Sequence, residues 1–122
     1  MNKVTLIARI LLGITFVTFG LNGFYTFIPV PKFHPFMEIL VSSGFIYFEK
    51  GLEVIAGALL LFNRYILAAL LILGPIVINI FLYHILLDYR NWPVSIIILL
   101  LYAILIKKHW SYFKIFTKAK VD

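Results

Sequence analysis

Four long apolar segments separated by short polar ones dominate the pattern of this chain. They cover about residues 4–27, 46–62, 65–87 and 93–107. Each is close to the ~20 residues that an α-helix needs to cross about 30 Å of hydrocarbon. The pattern therefore predicts an all-α membrane protein, a single four-transmembrane-helix bundle that occupies residues 1–122.

The connection after the first segment is rich in proline. Pro29, Pro31 and Pro35 lack an amide hydrogen and disfavour helix in the residues before them, so they end the first span. Residues 36–43 then predict a short amphipathic helix on the membrane surface between spans one and two, which ends at Gly44.

The remaining connections are short. Only Asn63 and Arg64 separate the second and third segments, which predicts a tight antiparallel hairpin. Pro93 suits the first turn of the fourth span. Pro75 predicts a kink in the third span and a freed carbonyl near Leu71.

Composition supports lipid as the solvent of this chain. Of its 122 residues, 63% are hydrophobic and 13% are charged, whereas about 25% are charged in soluble domains. So much apolar surface cannot be hidden inside so small a body. The absence of cysteine excludes disulfide scaffolds, cysteine-ligated metal centres and dithiol redox chemistry.

The net charge of +6 is concentrated near the termini. Residues 108–122 form a basic tail with interleaved aromatic residues, a pattern typical of the membrane interface, so anionic headgroups rather than nucleic acid are the expected partner. With four spans, both termini share a side, and eight of the eleven basic residues fall there. The positive-inside rule makes that side cytoplasmic. These eight residues are Lys3, Arg9, Arg64, Lys107, Lys108, Lys114, Lys118 and Lys120.

The candidate chemistry begins in the second span, where Glu49, Lys50 and Glu53 lie within about one helical turn. At ~1.5 Å per residue from Arg64, Glu53 lies about 16 Å deep, close to the midplane. A carboxylate there costs several kcal/mol, so a ligand or proton site is one interpretation. An ion pair that only fixes helix packing is the other, and the residues alone leave both open.

Further polar residues are predicted at similar or more outward levels. Asn79 is level with Glu49 and Lys50 on the neighbouring span, His84 is near the outer edge with Asp88 one turn above, and Asn22 reaches a similar height. Together they predict a polar cavity in the outer half of the bundle. His84 and Asp88 have a simpler alternative, a hydrogen-bonded pair that orients the turn. No metal site is predicted, because metals need three or four converging ligands. The predicted lining is Glu53, Lys50, Glu49, Asn79, His84, Asp88 and Asn22.

Small residues indicate where helices approach closely. Arg9 is expected to reach inner headgroups or to cap backbone carbonyls. The close-packing positions are Gly13, Gly20, Ala56, Gly57 and Ala58.

Three stretches resemble the DoxX family of small bacterial four-span membrane proteins. They are ARILLGITFVTFGLNGFYTFIPVP (8–31), SSGFIYFEKGLEVIAGALLLFNRY (42–65) and LGPIVINIFLYHILLD (73–88). The resemblance implies a protein of the bacterial cytoplasmic membrane that is associated with quinone-linked or thiol and oxidative-stress redox systems. It suggests quinone as the candidate cofactor, and it transfers no catalytic residue.

Three functions remain open from the sequence. The first is a membrane subunit whose outer cavity accommodates quinone or another small hydrophobic redox partner. The second is a non-enzymatic scaffold or accessory subunit that holds protein partners in a membrane complex. The third is a small proton-coupled transporter. The sequence determines neither the substrate nor the oligomeric state.

Overall fold

The structure is a computed structural model that describes residues 3–24, 35–87 and 92–120, and all regular structure in these ranges is helical. The helices are α1 (Lys3–Phe24), α2 (Pro35–Ser43), α3 (Phe45–Leu61), α4 (Ile66–Leu82), α5 (Trp92–Lys108) and α6 (Trp110–Phe113). A π-helical turn (Tyr83–Leu87) extends α4, and a 3₁₀ turn (Lys114–Thr117) extends α6.

The four long helices pack in a ring in the order α1, α3, α4, α5, and α5 closes the ring against α1. The α1–α3 contact is the most extensive of the four. One apolar cluster drawn from all four helices fills the centre, where Leu12, Leu60, Leu73 and Leu105 are fully buried. The four long helices thus form one bundle.

Two helices in the described residues are long and apolar enough to cross a membrane: Lys3–Phe24, and α4 with its π-turn, Ile66–Leu87. The segments Trp92–Lys108 and Trp110–Thr117, bent by 76°, make a third if they count as one broken span. Helix α3 has 17 residues, about 25 Å at 1.5 Å per residue. Length and composition therefore support a membrane protein with two or three candidate spans.

Helix boundaries differ slightly from those predicted. The described part of α1 ends at Phe24, and residues 25–34, including Pro29 and Pro31, lie outside the described residues. Helix α3 starts one residue before the predicted span and ends one residue earlier. The short helix before it is confirmed as α2, and Gly44 follows it in a left-handed conformation at φ 82°, which glycine adopts without strain.

The predicted hairpin between α3 and α4 is confirmed, and its backbone explains why so short a turn suffices. Asn63 takes the left-handed conformation at φ 56°. Its amide donates to the Leu60 carbonyl at 3.2 Å, and the Arg64 amide donates to the Leu59 carbonyl at 3.0 Å. This is a Schellman motif, in which asparagine takes the position usually held by glycine.

Glycine brings α1 and α3 into backbone contact, as predicted. A Cβ atom on Gly57 would lie 2.8 Å from the Val17 amide nitrogen and 2.9 Å from the Gly13 carbonyl oxygen. A Cβ atom on Gly20 would lie 3.0 Å from the Lys50 carbonyl oxygen. No larger residue fits at these three glycines without separating the two helices.

Arg9 links the N-terminal half of α1 to the C-terminal end of α3. Its guanidinium donates to the Leu60 carbonyl and, at 3.4 Å, to the Leu61 carbonyl. These carbonyls belong to the last turn of α3, which lacks intrahelical donors and carries the negative end of the helix dipole. Of the two expectations for Arg9, carbonyl capping is the one observed.

Candidate functional site

Glu53 lies inside the bundle and does not face its outer surface. Only 2% of the residue is exposed, and the next turn of α3 continues into the buried core at Ala56 and Gly57. Its Oε2 atom lies 3.3 Å from Lys50 Nζ, an i,i+3 ion pair along α3. The structure therefore gives this carboxylate a partner from its own helix.

Glycine on α1 makes room for the lysine of this pair. A Cβ atom on Gly23 would lie 2.5 Å from Lys50 Cγ and 2.8 Å from Cδ, so the lysine stem occupies the space that a side chain would take. The Lys50 side chain keeps 21% of its surface exposed, against 3% for Glu53. The ammonium thus connects a buried carboxylate to the end of the bundle where α1 ends and α3 begins.

Glu49 adds a second acid to the pair. It is half-buried and lies four residues before Glu53, so both acids lie on the same face of α3. We call Glu49, Lys50 and Glu53 the acid–lysine cluster. With one bound proton it is neutral, and without that proton it carries one negative charge.

Aromatic rings border the acid–lysine cluster at the same end of the bundle. Phe24 at the end of α1 stacks on Tyr47 of α3, with ring centroids 5.6 Å apart and planes 27° apart. The Phe24 ring also lies 3.9 Å from the position of a Cβ atom on Gly51. These rings therefore lie beside Gly51, the residue that follows Lys50 on α3.

The other predicted lining residues are more dispersed. Asn22 is half-buried and precedes Gly23 on α1. Asn79 is exposed on α4, and no hydrogen bond or ion pair between described residues joins it to the acid–lysine cluster. Instead it lines a groove between α4 and α5. Of the seven predicted residues, Glu49, Lys50 and Glu53 lie next to one another on α3.

His84 occupies the π-helical turn that follows α4. It is half-buried, with its ring edge-on to Tyr83 at 5.3 Å between centroids. Its Nδ1 atom is buried and has no hydrogen-bond partner within residues 3–24, 35–87 and 92–120. The partner that the sequence suggests, Asp88, lies outside those ranges, so the pairing stays a prediction.

The α4–α5 contact contains a polar link that the sequence analysis missed. Tyr102 on α5 donates its hydroxyl to the Leu70 carbonyl of α4 at 2.6 Å. A Cβ atom on Gly74 would lie 3.0 Å from that hydroxyl, so glycine leaves it room. The sequence predicted a carbonyl freed by Pro75 near Leu71, which is the next residue along α4, but it predicted no donor for that carbonyl. A lone tyrosine in an apolar span was the available signal, because a buried hydroxyl needs a partner.

Gly23 was also missed as a position that contacts the acid–lysine cluster, although it lies three residues after Gly20 on one helix face.

Across the described residues, no three His, Asp or Glu side chains converge as a metal site would require. Comparisons with family models, with curated protein sequences and with solved structures find no match.

Proposed function

We propose that this chain is a four-span protein of the bacterial cytoplasmic membrane with both termini in the cytoplasm. The length of α1 and of the extended α4, the basic residues at one end and the resemblance to the DoxX family support this proposal. Helices α3 and α5 are shorter, but each packs between two neighbours of the ring. A local thinning of the bilayer at modest cost accommodates spans of this length.

Within this framework, we infer that the protein is a membrane subunit of a quinone-linked or thiol-stress redox system. Its functional site is the acid–lysine cluster, and this cluster lies in the outer half of the membrane. A quinone carbonyl accepts a hydrogen bond from the Lys50 ammonium, and the two carboxyl groups supply or take up a proton. The electrons come from a redox partner protein, since quinone reduction requires electrons as well as protons.

The burial of Glu53 beside a second acid and a partly exposed lysine is the observation that carries this proposal. An ion pair that only fixed the packing would need one acid and one base. The third ionisable group gives the acid–lysine cluster a proton to exchange. Ionisable residues within membrane spans commonly mark ligand sites and proton relays.

Quinone binding by the purified protein in mild detergent tests the proposal. Glu53→Gln keeps the shape of the side chain but removes its exchangeable proton. Loss of a charge-assisted hydrogen-bond network is worth about 1.5–3 kcal/mol, so we expect quinone affinity to fall about ten- to a hundred-fold. Glu38→Gln, at an exposed carboxylate on α2, is the matched control and should bind within about two-fold of the wild type.

Two results would overturn the quinone proposal. One is a wild-type protein that binds no quinone at concentrations where a known quinone protein is saturated. The other is equal affinity of the Glu53→Gln and Glu38→Gln variants. A pH-driven substrate flux in proteoliposomes that Glu53→Gln abolishes would instead indicate the transporter.

An accessory subunit without chemistry of its own is the second candidate. Two exposed phenylalanines at the start of α3, Phe45 and Phe48, favour it, with ring centroids 6.5 Å apart. Such a pair suits the anchor of a protein interface. Crosslinking in membranes tests it: a partner band that Phe48→Ala removes and Phe62→Ala retains supports the scaffold, and loss of the band in both or neither contradicts it.

A further inference from the structure

A long apolar groove runs between α4, α5 and the segment Trp110–Thr117, and we call it the tail groove. Its volume is about 720 Å³. Along α4 it extends from Leu71 to Asn79, roughly 12 Å at 1.5 Å per residue. Gly74 and Pro75 form part of this wall and Tyr102 part of the opposite one. The tail groove is therefore long enough and apolar enough to hold part of an acyl chain.

One end of the tail groove is basic and aromatic. Lys107, with Trp110 and Ala103, lines an adjoining recess of about 540 Å³. The helix turns by 76° after Lys108, and Phe113 is buried against the bundle. The lysines around this turn, Lys107, Lys108, Lys114, Lys118 and Lys120, are exposed.

We propose that the tail groove binds one anionic phospholipid, with an acyl chain along α4 and the phosphate at Lys107. The lysine of the adjoining recess complements the phosphate of such a lipid, and the apolar tail groove complements its acyl chain. Trp110 lies where a tryptophan at the headgroup level would be placed. The inference requires the membrane insertion proposed above, but it does not depend on the acid–lysine cluster.

Charge argues against a second copy of the chain in the same groove. The chain carries +6, and five lysines lie in the 14 residues from 107 to 120. A second copy that placed its own tail in the groove would bring two clusters of like charge together, which costs free energy. A neutral lipid would leave Lys107 without a counter-charge, whereas an anionic lipid supplies one.

Trp110 is a natural reporter for this site. The chain has two tryptophans, so Trp92→Phe leaves Trp110 as the only one. In vesicles that mix phosphatidylcholine with phosphatidylglycerol, bromine on the acyl chains of one lipid at a time quenches a nearby tryptophan. Since a lysine near the membrane surface favours an anionic lipid by about 1 kcal/mol, we expect about five-fold preferential quenching by brominated phosphatidylglycerol.

Two lysine variants in the Trp92→Phe background separate a bound lipid from diffuse attraction. Lys107→Gln should reduce the preference to below about two-fold, because it removes the counter-charge at the groove. Lys108→Gln removes the same charge at almost the same depth from a residue that does not line either recess. It should keep most of the preference.

Several outcomes would overturn the lipid site. Equal quenching by both brominated lipids, or equal loss in the two lysine variants, would leave only general electrostatic attraction. Quenching that falls as the protein-to-lipid ratio rises would show that another copy covers the groove. Absence of quenching by either lipid would contradict membrane insertion itself.

The Glu53→Gln variant separates this proposal from the quinone proposal. If it keeps the preference for brominated phosphatidylglycerol, the lipid site is independent of the acid–lysine cluster.

Discussion

The two halves of the helix ring are held together in different ways. Helices α1 and α3 meet through backbone contacts at Gly13, Gly20 and Gly57, and they enclose the Lys50–Glu53 pair. Helices α4 and α5 are linked by the Tyr102 hydroxyl and leave a groove of about 720 Å³ along their contact.

This difference follows from lipid as a solvent. Apolar side chains gain little by leaving lipid for a protein interior, so helices associate through close approach and polar links. The glycine contacts of α1 and α3 draw the two backbones together, and Glu53 is shielded from the outside of the bundle. The α4–α5 contact has fewer such links, so a lipid chain can occupy part of its surface. One half suits a fixed polar site, and the other suits an exchangeable apolar ligand.

The largest effect is expected from Lys50→Gln, which leaves the buried Glu53 carboxylate without its partner. Breaking a buried ion pair costs several kcal/mol, and the partial exposure of Lys50 places this case near the lower end, at about 3 kcal/mol. Glu53→Gln should cost less, because the remaining ammonium is partly exposed and has a flexible stem. The free energy of unfolding, measured by circular dichroism during titration of mixed micelles with denaturing detergent, tests the order of the two.

The double variant completes this comparison. With both charges removed, no unpaired carboxylate remains at position 53, so the double variant should be more stable than Lys50→Gln alone. Strictly additive losses would show that the two side chains do not interact in the folded protein.

Gly57→Ala should give the next largest effect, a loss of about 2 kcal/mol, since its methyl group would meet the backbone of α1 at 2.8 and 2.9 Å. Gly51→Ala, on the same helix, is the control because the added carbon would meet only the Phe24 ring at 3.9 Å. It should leave stability unchanged or raise it slightly through helix propensity. Similar losses in both would argue against backbone contact between α1 and α3.

Tyr102→Phe should give the smallest effect, about 0.6 kcal/mol, the average for a hydrogen bond between helices in a membrane. Tyr47→Phe removes a hydroxyl from an exposed ring of the α1–α3 half and should have no measurable effect. A loss above about 2 kcal/mol for Tyr102→Phe would contradict this comparison. The α4–α5 half would then depend on one hydrogen bond as strongly as the α1–α3 half depends on Gly57.

Local pattern was sufficient for the helices themselves. Apolar run length predicted the four long helices to within a few residues at each described end, and Asn63 with Arg64 predicted the hairpin. Gly13, Gly20 and Gly57 indicated close packing because glycine in a membrane helix has few other uses. The helix bounds and the hairpin depend on residues near in sequence, so the sequence alone determined them.

The assignment of polar partners depended on the fold. Depth along the spans placed Asn79 level with Glu49 and Lys50 on the neighbouring helix, but depth does not give the direction in which a side chain points. Rotation about the α4 axis places Asn79 in the tail groove, whereas the i,i+3 spacing on α3 already places Lys50 beside Glu53. That rotation is set by where α1, α3, α4 and α5 touch, through contacts such as Gly23 with Lys50 that join residues distant in sequence. Sequence thus determined which residues lie in the apolar helices and which of them are neighbours on one helix, such as Lys50 and Glu53. Only tertiary packing decided which residues of different helices meet.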